Sequence, residues 1–134
     1  MRACLIAASL LVAAAAPVAA AGKLAPPSKV REMLGDVGVM AKAGDDRCTV
    51  ALHEDAVPQG YRLTFFEDGG KCAKAYPVMA KVVAWRVYGN GRMAFADKSG
   101  QDLITFKKGK GFKRHAMTKV DGVAYLRSAQ EDAE

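Results

Sequence analysis

An all-β fold, a small closed antiparallel barrel of seven or eight strands, follows from three observations on this 134-residue chain. Several short runs alternate apolar and polar side chains, as in "YRLTFF", where Tyr61, Leu63 and Phe65 point one way and Arg62 and Thr64 the other. That period of two marks a strand with one buried face. Turn signals recur every eight to twelve residues along most of the chain, the spacing of a sandwich or barrel. The length left for the fold suits one domain with a modest core, and so many strands in so short a chain favour a barrel filled by its own side chains.

The first 21 residues stand apart from the fold. Met1 and Arg2 form a short positive start, Cys4 to Ala16 an apolar stretch rich in alanine and leucine, and "VAAA" offers small residues for cleavage after Ala20 or Ala21. That is the pattern of a secretory signal peptide; the stretch is short and weakly apolar for a membrane anchor. A soluble exported protein, periplasmic or secreted, with no membrane insertion after cleavage is expected. Removal of the segment takes Arg2 with it, and the remaining mild positive balance is too small to indicate nucleic acid as a partner.

Residues 22–34 read as an N-terminal arm and short helix. Gly22, Lys23, Leu24, Ala25, Pro26 and Pro27 carry no periodic apolar pattern, and the two prolines favour extended backbone around them. Ser28 is placed to cap a helix through Leu34, with Val30, Met33 and Leu34 on one side and Gly35 as its stop. The barrel is expected over 35–127. Its runs are "VGVMAKA", "CTVALHE" and "YRLTFFE", then "AWRVY" and "RMAFAD" joined by "GNG", then "DLITFKK", and finally "FKRHAMTKV" and "VAYLR" joined by Asp121-Gly122, a strong hairpin signal. Between the third and fourth runs, Cys72 to Tyr76 reads as a helical turn ended by Pro77. The acidic segment 128–134 reads as a frayed tail.

Beyond Cys4, the chain holds Cys48 and Cys72. In an oxidising compartment an even pair usually means a disulfide. A metal site or a reactive thiol pair is the rival reading, without Cys-x-x-Cys or His-x-x-x-His spacing to support it. His53 and His115 fall in or at the ends of strands and gather no catalytic partners. No nucleophile elbow and no glycine-rich loop opening a helix occurs. No metal site and no cofactor is therefore expected. The segment 107–114, "KKGKGFKR", concentrates positive charge; it reads either as a patch for anionic partners or as a solvated hairpin whose lysines protect an edge. Trp85, the only tryptophan, shares a strand face with Val87 and reads as a core plug whose N–H needs an acceptor.

The ordered set "PSKVREMLG", "CTVAL", "GYRLTFF", Cys72, Pro77, "AWRVYGNGRMAFAD" and "SGQDLITF" resembles the alkaline protease inhibitor family, the Inh-type inhibitors of serralysin metalloproteases, from about Pro27 to Tyr125. The resemblance implies an eight-stranded, lipocalin-like barrel, a Cys48–Cys72 disulfide, and a periplasmic inhibitor; a monomer that is not an enzyme is expected. It also implies that the arm Gly22, Lys23, Leu24, Ala25 and Pro26 enters the cleft of a secreted zinc metalloprotease, with its terminal amine on the catalytic zinc. The chain departs from the family in its first strand, where Val37, Val39 and Met40 stand and the family usually has a Trp. It departs again at Lys23, where small polar residues are commoner, and in its longer, more basic part after Lys107. Two other functions fit a barrel of this kind: a lipocalin-like module for a small apolar ligand, and an envelope interaction protein docking through the basic 107–114 hairpin.

Overall fold

The computed structural model describes residues 23–66, 69–108 and 113–128. The expected signal peptide, Gly22, the centre of the basic hairpin and the tail beyond Ser128 lie outside them. Eight antiparallel strands close into a barrel in simple sequence order, β1 through β8, with β1 also paired to β8. They are β1 Gly35–Met40, β2 Thr49–Val57, β3 Gly60–Phe65, β4 Ala84–Val87, β5 Met93–Ala96, β6 Asp102–Phe106, β7 Arg114–Val120 and β8 Val123–Ser128. Closure leaves no long edge strand exposed. β8 runs one residue past the expected boundary, because Ser128 pairs with Val37 of β1.

The interior is assembled by alternation. In β4 and β5, Trp85 pairs with Phe95 and Val87 with Met93, and all four side chains are buried in one cluster with Val39, Val50, Leu63, Ile104, Phe106 and Leu126. Trp85 is 0% exposed. Its ring lies 5.6 Å from that of Tyr61, and its indole N–H donates to the carbonyls of His53 at 3.0 Å and Arg62 at 3.2 Å. His53 lies where the β2–β3 register shifts between Leu52 and Ala56, so the indole serves a carbonyl beside an irregular stretch of the ladder. Gly60, at φ 144°, lets β3 start directly against β4: a Cβ there would stand 2.6 Å from the Trp85 carbonyl oxygen. Among the described residues, Trp85, Phe95 and Phe106 pack together inside the barrel, each 0% exposed.

The antiparallel order places the two helical segments at opposite ends. At one end, α1 spans Pro27–Arg31 and buries Val30 in the core. It is shorter than expected, and Ser28 does not cap it: Pro26 is the N-cap residue, no side-chain cap bond forms, and proline occupies the first turn. The fixed φ and missing N–H of Pro27 suit the first helical position, which moves Ser28 inside.

At the other end lies α2, Gly69–Ala75, followed by a 3₁₀-helix over Pro77–Lys81. Pro77 thus opens a second helical turn as well as ending the first. This end is tied twice to the β1–β2 connection. Cys48 and Cys72 form a disulfide. The Tyr76 hydroxyl donates to buried Asp45 and accepts the Ala41 N–H at 2.8 Å. Arg47 grips both Asp45 oxygens, Nε and Nη2 each at 2.8 Å, and lies 5.4 Å from the Tyr76 ring centroid.

The Arg47 hydrogen bonds hold the Asp45 carboxyl well below its ordinary value near 3.8, against the opposing effect of burial. A depressed carboxyl pKa contributes stability that is present above the unfolded value and lost as pH falls through the folded one. Asp45→Asn is therefore expected to destabilise the protein at pH 7, with the gap to the parent closing as pH drops below about 4. Urea unfolding of both proteins from pH 7 down to pH 2 checks this; a gap constant across that range would place the effect in packing rather than in charge.

Candidate functional site

The expected arm is extended, but most of it is not free. The Ala25 N–H donates to the Val87 carbonyl at 2.7 Å and the Gly89 N–H to the Lys23 carbonyl at 2.7 Å, with Leu24 opposite Tyr88 in an antiparallel bridge. The opening for this pairing comes from β3, whose pairing with β4 starts with Tyr61 opposite Trp85. Past that point the β4 backbone continues to Gly89 without β3 beside it. On its other side Tyr88 is already taken, its N–H donating to Arg92 in the turn to β5. Lys23–Ala25 fill the vacant side. Alternation then turns Ala25 inward, 8% exposed, and leaves Leu24 56% exposed. Lys23 and Pro26 are exposed as well. Gly22 lies outside the described residues.

The strand that receives the arm is braced from the outside. Arg86 and Tyr88 share the outer face of the β4 end. The Tyr88 hydroxyl donates to Asp102 at 2.5 Å, and Arg86 Nη1 reaches the other Asp102 oxygen at 3.3 Å. Arg86 Nε also donates to the Gln59 carbonyl in the β2–β3 turn. Beneath them lie Ala84, Ala94 and Ala96, all buried, whose small side chains allow the bridge to cross from β4 to β6. Burial first, then the bond to Asp102, pushes the Tyr88 phenol above its usual range, so it remains a donor at neutral pH. Within "AWRVYGNGRMAFADKSGQD", then, Trp85 and Val87 fill the barrel, Arg86, Tyr88 and Asp102 brace its outer face, and the backbone of Val87 and Gly89 holds the arm. Sequence reading places Trp85 but misses the brace; the signal for it is the parity of Arg86 and Tyr88, opposite to that of Trp85.

The basic segment 107–114 does not form one uniform face. Lys107, Lys108 and Lys113 are exposed, the last with its ammonium 5.1 Å from the Tyr125 ring centroid. Arg114 turns inward, and the intervening residues lie outside the described set. His53 bonds Thr64 Oγ1 at 2.7 Å, and the His115 ring packs 6.1 Å from that of Tyr125. Among the described residues, no group of three or more His, Cys, Asp and Glu side chains is placed to hold a metal ion.

The described residues form a disulfide-tied barrel with a packed core and a short peptide segment held against one strand end. Residues 28–127 match the family model described as "Protease inhibitor Inh", which sets the chain among protease inhibitors. The chain belongs to the Inh family, and a protease is its class of partner. A search of curated proteins gives no match.

Proposed function

We propose that the protein is an exported inhibitor of a serralysin-type zinc metalloprotease and that the arm Gly22–Pro26 is the part that enters the protease cleft. The observation that carries this reading is the backbone pairing of Lys23–Ala25 with Val87–Gly89. An inhibitor differs from a substrate in how firmly its inserted segment is held. Here the base of the segment is fixed by main-chain hydrogen bonds and by the fixed φ of Pro26 and Pro27, so little backbone freedom remains to be lost on binding.

Cleavage after Ala20 or Ala21 would leave a free amine one or two residues before Lys23. Each extended residue adds at most about 3.5 Å. The amine thus has a short reach, and the exposed Leu24 and the 88–91 turn approach the protease together with it. A neutral amine is a competent zinc ligand and can take the position of the catalytic water. Export into the periplasm also supplies the oxidising conditions that the Cys48–Cys72 disulfide requires.

Two N-terminal variants test the mechanism: the mature protein with a three-residue extension before its natural start, and a form lacking residues 22–24. Each is expected to inhibit a serralysin-type protease at least about 100-fold more weakly, which corresponds to about 2.7 kcal/mol. The extended form should keep the thermal midpoint of the parent, because it removes no contact of the barrel. Undiminished inhibition by the extended form would rule out arm insertion and leave family membership intact. Inhibition of a protease without zinc, at comparable strength, would overturn the target class.

A further inference from the structure

The segment Val87–Gly89 that carries the arm has weak support of its own. The β4 ladder with β5 ends at Val87 opposite Met93. Tyr88 then bonds within its turn, its N–H to the Arg92 carbonyl at 2.8 Å and its carbonyl to the Gly91 N–H at 2.9 Å. A strand end held by its own turn opens more readily than the ladder behind it. Nor does the arm anchor itself: of Lys23, Leu24, Ala25 and Pro26, only Ala25 is buried.

The side chain of Tyr88 makes up the deficit. It stands directly opposite Leu24, in a pair whose flanking residues make the hydrogen bonds. Side chains of such a pair lie close together on one face of the sheet, here the outer one. Tyr88 is nevertheless only 4% exposed. A covered ring whose hydroxyl is bonded to a carboxylate has little freedom to turn. The carboxylate is held in its turn. The Asp102 side chain is 11% exposed and also takes Arg86. Arg86 Nε bonds the Gln59 carbonyl, and Gln59 Nε2 bonds the Lys98 carbonyl at 3.1 Å. Tyr88 is thus tied across β5 to β6, to the β2–β3 turn and to the β5–β6 turn.

We infer that Tyr88 is a positioning residue of the arm: anchored through Asp102, it holds the end of β4 in the register that receives Lys23–Ala25. The consequence for inhibition rests on the reading of the arm as the inhibitory segment. An arm on a fixed base loses little freedom when it binds, and loss of that base acts mainly on how fast the complex comes apart.

Amide exchange followed by NMR on the mature protein tests the inference. The Ala25 N–H, bonded to Val87, reports on the arm; the Val39 N–H, bonded to the Cys48 carbonyl at 2.8 Å, reports on the barrel. Tyr88→Phe keeps the ring and removes the bond to Asp102. It is expected to speed exchange at Ala25 at least about tenfold more than at Val39. Asp102→Ala removes the acceptor and should act alike, and adding Tyr88→Phe to it should change Ala25 by less than about twofold further. No change at Ala25, equal changes at Ala25 and Val39, or full additivity of the two variants would overturn the inference. Against a serralysin-type protease, Tyr88→Phe should raise the dissociation rate at least about tenfold and alter the association rate by less than about threefold. A loosened Ala25 with dissociation unchanged would uphold the positioning of the arm and overturn the reading of the arm as the inhibitory segment.

Discussion

Trp85→Ala is expected to destabilise the domain by about 3–5 kcal/mol, the range for removing a fully buried aromatic side chain. Two losses combine. The indole is wholly enclosed, so its removal leaves a cavity between β3, β4 and β5 that the closed barrel cannot collapse to fill. Its N–H also serves the His53 and Arg62 carbonyls, which then lose a donor. Trp85→Phe separates these effects. Phenylalanine keeps most of the volume and a ring facing Tyr61, so a loss of about 1–2 kcal/mol is expected from the donor and residual space. Urea unfolding measures both, with an unchanged m-value marking a change in stability alone. A Trp85→Ala loss below about 1 kcal/mol would show that the barrel adapts to the cavity. On the proposed mechanism, inhibition per folded molecule is expected to hold in Trp85→Phe, because Val87 and Gly89 still hold the arm just downstream on the same chain segment.

The strands were legible in the sequence because alternation and turn chemistry are local. "YRLTFF" reads as a strand without knowing its partner, and Asp121-Gly122 reads as a hairpin because both residues must take positive φ, found at 50° and 89°. What could not be read depends on meetings between distant residues. The pairing of Leu24 with Tyr88 exists because β3 leaves the end of β4 uncovered, and nothing in residues 22–26 announces it. The inward turn of Arg114 is similar. "KKGKGFKR" carries charge of one sign only, yet Arg114 shares the parity of Ala116, which pairs with core Phe106, and strand alternation takes it inside. The acceptors it finds there, Gly91 and Met33, come from a turn and from the segment just past α1. The helix start differs from the expectation for a local reason: a proline competes with serine for the first turn, and its preference decides the register.

Replacing Cys48 and Cys72 together by alanine is expected to cost roughly 3.5 kcal/mol, from the entropy regained by the unfolded chain when the loop 48–72 is no longer closed. For a domain of ordinary stability that is a quarter or more of the total, and the thermal midpoint should fall by on the order of 15–25 °C. Reduction of the parent by a dithiol should reproduce the shift, which distinguishes the cross-link from the packing of the two sulfurs. Asp45 responds to the same change, because its bond to Tyr76 joins the same two segments as the disulfide. With the cross-link present, that bond closes a loop already closed. Without it, the bond must hold the segments alone. The double-cysteine variant and Asp45→Asn are therefore expected to be non-additive by at least about 0.5 kcal/mol in a double-mutant cycle. On the proposed mechanism the arm, at the opposite end of the barrel, does the inhibiting, so inhibition measured well below the lowered midpoint should be nearly that of the parent. A loss of inhibition larger than the loss of folded protein would instead mean that the disulfide end and the arm end are coupled through the strands between them.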